Sequence, residues 1–302
     1  MKREDTKMIK LAILGIENSH AWCFASAFAP LDGKKIFPDI ELIGLYGEEG
    51  REDTEIGKQE IEKKCACTRF AKHYDDFLGE ADAVMVTARH GGNHLKYAKK
   101  YLEAGIPVWL DKPITASIED FCEVARLVKE HGSIVTGGST LYYNEGLVEA
   151  RKFVQENPDF CIGGAVSAPV NMVNDYGNFW FYSQHLAEMM LSVFGTDVRS
   201  VKAVKNADSV SAIYRYDNFT VNAFYGGNYS VTVYGRLMKT FAPKMEFSES
   251  DFIDELAPFV QAIREGKVDR TLDYLRYPVA VIDATIRAFT EDKEIDIVVP
   301  EI

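Results

Sequence analysis

Length, composition and charge already exclude several classes of protein. The chain has 302 residues, 47% hydrophobic and 26% charged, and its 34 basic and 46 acidic side chains give a net charge of −12. This balance argues against a nucleic-acid or anionic-membrane partner, because phosphate groups are bound by clustered Lys and Arg. No apolar run approaches the ~18 residues of a membrane span, and the first five residues lack a signal peptide's apolar core. We therefore expect a cytoplasmic protein of about two domains.

The first half of the sequence alternates between short apolar runs and helical patterns. Strands are predicted over 11–14, 42–46, 83–87, 108–110 and 134–136. Helical patterns stand between several of them, with Ser19 and Ser117 as predicted N-caps. Continuous apolar strands that alternate with helices are typical of buried parallel strands with crossover helices. Residues 1–138 therefore predict a Rossmann-like, doubly wound α/β domain.

The pattern changes after about residue 156. Strand-like stretches now follow one another directly, and several alternate apolar with polar residues, over 162–170, 201–204, 210–216, 220–224 and 230–234. Helices are predicted over 181–194, 251–264 and 272–289. Alternation with one polar face is typical of an antiparallel sheet that helices cover on one side. Residues 139–302 therefore predict an α+β domain with a largely antiparallel, open-faced sheet.

Polar and ionisable residues collect directly after the predicted strands of the first half. They lie in Gly15–His20, Gly47–Arg51, Arg89–His94, Asp111–Pro113 and Gly137–Tyr143. Ligands of a doubly wound sheet bind beyond the carboxyl ends of its strands. Three of the six histidines (His20, His90 and His94) fall in these segments, which makes the segments candidates for a functional site.

The strongest local signal is the apolar strand that ends in Asp111, Lys112 and Pro113. A lysine followed by a proline projects one ammonium group toward the predicted cleft with little backbone freedom. Such a lysine can orient a reacting hydroxyl or shuttle its proton. A solvated lysine at the end of a strand is the alternative, because Lys is among the commonest surface residues.

At this motif the sequence resembles the Gfo/Idh/MocA oxidoreductases, relatives of glucose–fructose oxidoreductase and inositol 2-dehydrogenase. Asp111-Lys112-Pro113 is similar to the family's Glu-Lys-Pro, with the lead-in Ala104–Val108 before it and a helical His185 about seventy residues later. The resemblance covers essentially the whole chain. It implies that the first domain binds NAD or NADP and that the second forms a homodimer or homotetramer through its sheet. It also implies hydride transfer at a hydroxyl or ketone of a sugar, polyol or cyclitol.

The resemblance assigns roles to individual residues. Lys112 takes the place of the motif lysine beside the reacting carbon, and His185 that of the second-domain histidine, a general acid/base. The implied cofactor contacts are Gly15, Ile16, Asn18, Ser19, His20, Glu48, Arg89, His94, Asp111 and Lys112. The implied substrate contacts are Thr140, Tyr142 and His185. Glu48 favours NAD, whose 2′-hydroxyl it can bond, whereas Arg51 suits the 2′-phosphate of NADP, and NAD is favoured.

Departures from the family pattern leave two other functions open. The glycine fingerprint keeps only Gly15 of its three glycines, and Arg89–Gly91 replaces the family's Thr-Pro-Asn. Phe181 stands where relatives often carry aspartate, and Glu188 can partly replace that aspartate from the same helix face. One alternative is therefore a non-redox sensor or binding protein that kept the fold. The other is a metal-assisted hydrolase or lyase that uses Glu17, His20, His90, His94 and His185.

Overall fold

Two β-sheets organise the part of the chain that the computed structural model describes, which is residues 8–268 and 270–302. For residues 249 and 250 only the backbone is described. The charged start of the chain, on which the expectation of no signal peptide rests, lies outside these residues. Within them, no helix is both long and apolar enough to cross a membrane.

The first sheet is the predicted doubly wound one. Its strands are β1 (Ile9–Leu14), β2 (Ile40–Tyr46), β3 (Phe70–Ala71), β4 (Ala83–Val86), β5 (Val108–Asp111) and β6 (Val135–Gly138). All pairs are parallel, in the order β3-β2-β1-β4-β5-β6. The helices between them are α1 (Ser19–Phe28), α2 (Glu52–Lys64), α3 (His94–Glu103) and α4 (Ile118–His131). The strand order reverses at β1 and β4, so ligands are expected in the crevice between these two strands.

The second sheet is the predicted, largely antiparallel one. Its strands are β7 (Cys161–Ala168), β8 (Ser200–Lys205), β9 (Val210–Arg215), β10 (Thr220–Tyr225), β11 (Ser230–Gly235), β12 (Thr240–Phe241) and β13 (Ile295–Asp296). Their order is β12-β11-β7-β10-β9-β8-β13. Among the described strands of this second sheet, only β7 and β10 pair in parallel. The remaining helices are α5 (Glu145–Glu156), α6 (Trp180–Phe194), α7 (Glu249–Glu265) and α8 (Leu272–Glu291).

One face of the second sheet is packed and the other is open, as predicted. Along β9, Val210, Ala212 and Tyr214 are buried in a core that also contains residues of α6 and α8. The residue between the last two, Ile213, is 45% exposed on the other face. A strand's side chains alternate between faces, so this pattern requires helices on one side only.

Helices from the second half of the chain also pack on the first domain. Leu256 and Phe259 of α7 share a core with Phe24 of α1 and with β1. The first half of α8, including Leu275 and Val279, joins the core of the first domain, whereas its second half joins that of the second. The chain therefore crosses between the domains more than once, and the boundary at residues 138 and 139 stays a prediction.

The helix starts agree only in part with the sequence. Ser117 caps α4 as predicted, since its hydroxyl accepts a hydrogen bond from the Asp120 N–H at 3.1 Å. The predicted cap Ser19 is wrong, because Asn18 precedes the helix and its side-chain oxygen accepts from the His20 N–H at 2.7 Å. Helix α2 carried no clear signal, because its acidic sequence buries only Thr54, Gly57 and Ile61.

Candidate active site

A cavity of about 150 Å³ lies between the two domains, at the carboxyl ends of β1, β4 and β5. Loops of the first domain form one side of it, and the first turns of α6 form the other. It is lined by Asn18, Ser19, His20, Arg89, Lys112, Thr140, Phe181, Tyr182, His185, Tyr229 and Phe247. Both predicted catalytic residues, Lys112 and His185, therefore face one small space, although they are far apart in the sequence.

Lys112 holds a buried cation at this cavity. It directly follows β5, and its peptide bond to Pro113 is cis. The ammonium nitrogen lies 4.9 Å from the ring centre of Phe181 and 5.1 Å from that of Tyr182, close enough for both rings to stabilise the charge. Burial lowers the pKa of Lys112, and Arg89 lowers it further against the opposing charge of Asp111. Its proton is therefore easier to move than that of a surface lysine.

His185 is the neutral base of the cavity. It lies in the second turn of α6, and its Nδ1 is 2.6 Å from the hydroxyl oxygen of Ser139, which follows β6. Burial lowers the pKa of His185 well below its usual value, and the nearby charge of Lys112 lowers it further. The imidazole is therefore uncharged near pH 7 and can accept a hydrogen bond from a hydroxyl group in the cavity.

Ser139, which holds His185, is itself held by a buried ion pair. The Ser139 N–H donates to Glu188 Oε1 at 2.9 Å, and the Gln184 side-chain amide donates to the same oxygen at 2.6 Å. Arg270 donates to Glu188 Oε2 at 2.5 Å. Glu188 does not take the place of the missing aspartate directly, as the sequence suggested, because Ser139 stands between it and His185. Phe181, at the aspartate position, instead packs its ring on Lys112.

Of the three glycines of the fingerprint, the loop after β1 retains the first, Gly15, whose position leaves no space for a side chain. Gly15 has a φ of 95°, and a Cβ there would lie 2.4 Å from the Ala88 nitrogen. Glu17, which replaces the second glycine, is 6% exposed and turns inward to accept a hydrogen bond from the Arg89 N–H at 3.1 Å. Burial raises the pKa of Glu17. Its carboxyl group therefore does not point into the crevice.

A second cavity, of about 420 Å³, lies beside the first and follows the start of α2. It is lined by Arg51, Glu52, Asp53, Ile56, Arg89 and Tyr176. Arg89 lines both cavities, so they are neighbours along one crevice. Arg51 forms two hydrogen bonds of 3.0 Å with Asp53, whereas Glu48 is exposed directly after β2. The Tyr176 hydroxyl accepts from Arg89 at 3.0 Å and donates to Asp53 at 3.2 Å, which joins the second domain to α2.

The residues along this crevice fit a dinucleotide. Gly15 lets the loop after β1 turn closely against Ala88, and the N-terminus of α1 follows it with backbone amides that can bind a phosphate. Glu17 is turned away, and the Arg89 guanidinium supplies a positive charge where the family carries none. Ile16 is fully buried in the core, so only its backbone is available to a ligand.

The predicted contacts that do not line the first cavity are Gly15, Ile16, Glu48, His94, Asp111 and Tyr142. His94 is fully buried, with Nε2 2.8 Å from the Ala88 carbonyl oxygen and Nδ1 3.1 Å from that of Ile114. It thus joins the loops after β4 and β5. Tyr142 packs its ring against the guanidinium groups of Arg151 and Arg270, outside the cavity lining.

The arrangement needed by the metal alternative is not present among the described residues. His20 meets Asp111, and His90 accepts a hydrogen bond from the Gly92 N–H at 2.9 Å. Both ring nitrogens of His94 face carbonyl oxygens. Within residues 8–268 and 270–302, no three His, Cys, Asp or Glu side chains converge as metal ligands would.

Several residues of the site had no role assigned from the sequence. Ser139 lies in the candidate segment Gly137–Tyr143, whereas Tyr176 and Arg270 lie in loops that carry no motif. Glu255 of α7 had a signal that was overlooked, because it stands in the apolar stripe formed by Phe252, Leu256 and Phe259. It is 1% exposed and accepts a hydrogen bond from the Thr140 hydroxyl at 2.5 Å. Burial raises the pKa of Glu255 well above its usual value, and Asp111 raises it further.

The structure combines a Rossmann-like parallel sheet with a second, largely antiparallel sheet. Residues 21–139 match the GFO_IDH_MocA family, an oxidoreductase family with an NAD-binding Rossmann fold. The resemblance seen at Asp111-Lys112-Pro113 is confirmed over these residues. The chain is 26% identical over 193 residues to the uncharacterized oxidoreductase YhhX of Escherichia coli K12, and spans 53% of that relative's length.

Solved structures show the same fold over nearly the whole chain. A scyllo-inositol dehydrogenase from Lactobacillus casei with bound NAD(H) and scyllo-inositol has a TM-score of 0.76 at 17% identity, covering 96% of this chain and 99% of that one. A myo-inositol dehydrogenase from Corynebacterium glutamicum has a TM-score of 0.78 at 14% identity, covering 97% and 100%. GenD2 of gentamicin A biosynthesis, in complex with NAD, has a TM-score of 0.78 at 15% identity, covering 96% of each chain.

The ion pair behind Ser139 gives a stability prediction. We expect Glu188→Gln to lower the free energy of unfolding by about 3 kcal/mol, because it leaves the buried Arg270 guanidinium without its carboxylate. Adding Arg270→Met should restore most of that loss, since neither charge is then buried. Urea unfolding of the two single variants and the double variant measures the coupling. Strictly additive losses would show that the two side chains do not stabilise the fold as a pair.

Proposed function

We propose that this protein is an NAD(P)-dependent oxidoreductase that transfers a hydride between a nicotinamide cofactor and a hydroxyl or ketone of a sugar, polyol or cyclitol. The observation that supports it best is the placement of Lys112 and His185 in one cavity, at the carboxyl end of a sheet from an NAD-binding family. Both groups are ionisable and buried, with pKa values shifted toward the neutral form. Such shifts are typical of groups that move protons in a reaction.

The residues of the crevice have separate tasks in this proposal. When bound, the nicotinamide dinucleotide supplies the group that accepts or returns the hydride. The backbone of Gly15 and Ile16, together with Asn18 and Ser19, would hold the diphosphate at the start of α1. The Arg89 guanidinium would neutralise part of its charge, while His94 keeps the adjoining loops in place.

Two side chains would act on the substrate directly. Lys112 donates a hydrogen bond to the oxygen of the reacting carbon and so orients it. His185 would contact the substrate through the ring nitrogen that does not meet Ser139. Thr140 lines the cavity as a further contact, whereas Tyr142 would act only through Arg270, which it stacks against.

We propose NAD rather than NADP as the cofactor, because of Glu48 and the pairing of Arg51. Glu48 is exposed at the end of β2, where a carboxylate bonds the 2′-hydroxyl of the adenosine ribose and repels a 2′-phosphate. Arg51, the residue that would suit NADP, is already paired with Asp53 through two hydrogen bonds.

Cofactor binding is the first measurement. Tryptophan fluorescence should report NADH binding with a dissociation constant of ~100 μM or tighter, about −5.5 kcal/mol, and weaker binding of NADPH. Glu48→Ala should reduce the difference between the dissociation constants of NADH and NADPH. Glu49→Ala, which removes a neighbouring exposed carboxylate, is the control and should leave that difference unchanged. Tighter binding of NADPH would reverse the assignment. If folded protein binds neither, the oxidoreductase proposal is wrong.

Turnover tests the role of Lys112. Wild-type protein with NAD⁺ should form NADH from at least one member of a panel of myo-inositol, scyllo-inositol and common sugars and polyols. Lys112→Ala should reduce this rate by about 1,000-fold, because the substrate oxygen loses its cation, while NADH still binds. Lys129→Ala, an exposed lysine of α4, is the matched control. Dinucleotide binding without turnover of any compound would favour the sensor alternative, and an active Lys112→Ala protein would contradict the role of the lysine.

We further propose that the protein is a cytoplasmic homodimer or homotetramer. The open face of the second sheet exposes Val204, Ile213 and Phe224 at 56%, 45% and 43%, an apolar patch that a second copy can cover. Ile213→Glu should then shift the sedimenting species toward the monomer, whereas Leu31→Glu, at an exposed site of the first domain, should not. A monomeric wild-type protein would exclude this assembly.

A further inference from the structure

A second histidine faces the cavity and is held by a buried carboxylate. His20 lies in the first turn of α1, and its Nδ1 is 3.0 Å from Asp111 Oδ1 and 2.9 Å from Oδ2. Asp111 is fully buried at the end of β5, and its Oδ1 also accepts a hydrogen bond from the Lys112 N–H at 2.6 Å. The side chain of His20 is 12% exposed and lines the same cavity as Lys112 and His185.

The carboxylate fixes which ring nitrogen of His20 is available. Burial by itself raises the pKa of Asp111, but the charges of His20 and Lys112 outweigh it and hold the pKa below its usual value. Asp111 therefore remains ionised and retains the proton of His20 on Nδ1, which leaves Nε2 as the acceptor. Two rings hold the imidazole in place by edge contacts, Phe24 at 5.5 Å and Phe252 at 5.4 Å between ring centres.

His20 and His185 differ in how well each can keep a proton. An imidazolium at His185 would form in a fully buried position, beside Lys112, and its ring nitrogen Nδ1 faces only the uncharged hydroxyl of Ser139. An imidazolium at His20 would form against the Asp111 carboxylate, which stabilises it as the buried aspartate does in serine-protease triads. Of the two histidines, His20 is thus the better acceptor for a proton that the substrate releases.

We propose that His20, oriented by Asp111, is the acid/base residue that takes the proton from the substrate hydroxyl. The inference rests on the proposed oxidoreductase function and deepens it. In the oxidation, the C–H bond breaks and its hydride passes to the oxidised nicotinamide, the O–H bond breaks and its proton passes to His20 Nε2, and the carbon–oxygen double bond forms. The partly exposed ring then returns the proton to water. In the reduction the same ring donates it.

Titratable groups from several elements surround this histidine. Asp111 contacts it from the end of β5, and Lys112 and His185 of α6 line the same cavity. Arg89 shares the cavity, and Glu255 of α7 lies near Asp111. Of these groups, only Asp111 contacts the imidazole with an opposite charge. Replacing Asp111 should therefore affect the reaction in the same way as replacing His20.

The test compares His20→Gln, Asp111→Asn and wild-type protein with NAD⁺ and the most active compound of the panel named above. We expect kcat of His20→Gln to fall by about 100-fold or more, because an amide cannot accept the proton. The dissociation constant for NADH should stay within about threefold. The pH dependence of kcat should differ from that of wild type in this variant, because the variant lacks the ring that takes the proton. Asp111→Asn should lose a similar factor, and free imidazole should partly restore the activity of His20→Ala.

Control variants and outcomes separate the possible failures. His131→Gln, an exposed histidine at the end of α4, should behave like wild type. Urea unfolding shows whether each variant is folded, and imidazole rescue identifies a chemical role even where stability is reduced. If His20→Gln keeps the wild-type kcat and pH profile, this inference is wrong and the proposed function stands. If NADH binding falls as far as kcat, His20 serves the cofactor and the inference is again wrong. A wild-type protein without turnover overturns the proposed function and this inference together.

Discussion

The buried ammonium group of Lys112 sets the charge state of the groups around it. A cation is costly to bury, and here two aromatic faces and the neighbouring Asp111 offset that cost. Burial lowers the pKa of His185 and the charge of Lys112 lowers it further, and the same charge adds to that of His20 in lowering the pKa of Asp111. The lysine therefore favours a neutral imidazole on one side of the cavity and an ionised carboxylate on the other.

The arrangement requires that no second ionised carboxylate compete with Asp111 for the positive charge in the cavity. Burial raises the pKa of Glu255 and the charge of Asp111 raises it further, and the Thr140 hydroxyl donates a hydrogen bond to the Glu255 carboxyl group. Glu188 directs its charge to Arg270 instead. The negative charges near the cavity are therefore divided among separate partners, and each partner comes from a different element. Helices α6 and α7, together with the loop before α8 that carries Arg270, bring these groups together.

The fold could be predicted further than the site. The β1 sequence shows why: Ala12 and Leu14 pack on one face of the first sheet, and Leu11 and Ile13 on the other. A buried parallel strand is therefore apolar throughout and easy to recognise. Helix α2 was not recognised, because its buried stripe is narrow. In the site, Lys112 was found because its motif is contiguous. The pairs His20–Asp111 and Glu188–Arg270 join residues 91 and 82 positions apart, and no local pattern reports such contacts.

The altered glycine loop is consistent with a retained cofactor site once the contacts of Glu17 are considered. Its carboxyl group would repel a diphosphate if it faced the crevice, but it faces inward and accepts the Arg89 N–H. That bond fixes the backbone of the very residue whose guanidinium enters the crevice. Tyr176 holds the guanidinium from the other domain, with ring and charge 4.8 Å apart. Glu17, which replaces the second glycine of the fingerprint, thus positions the Arg89 cation. A dinucleotide would meet the positive charge of Arg89 rather than the carboxylate of Glu17.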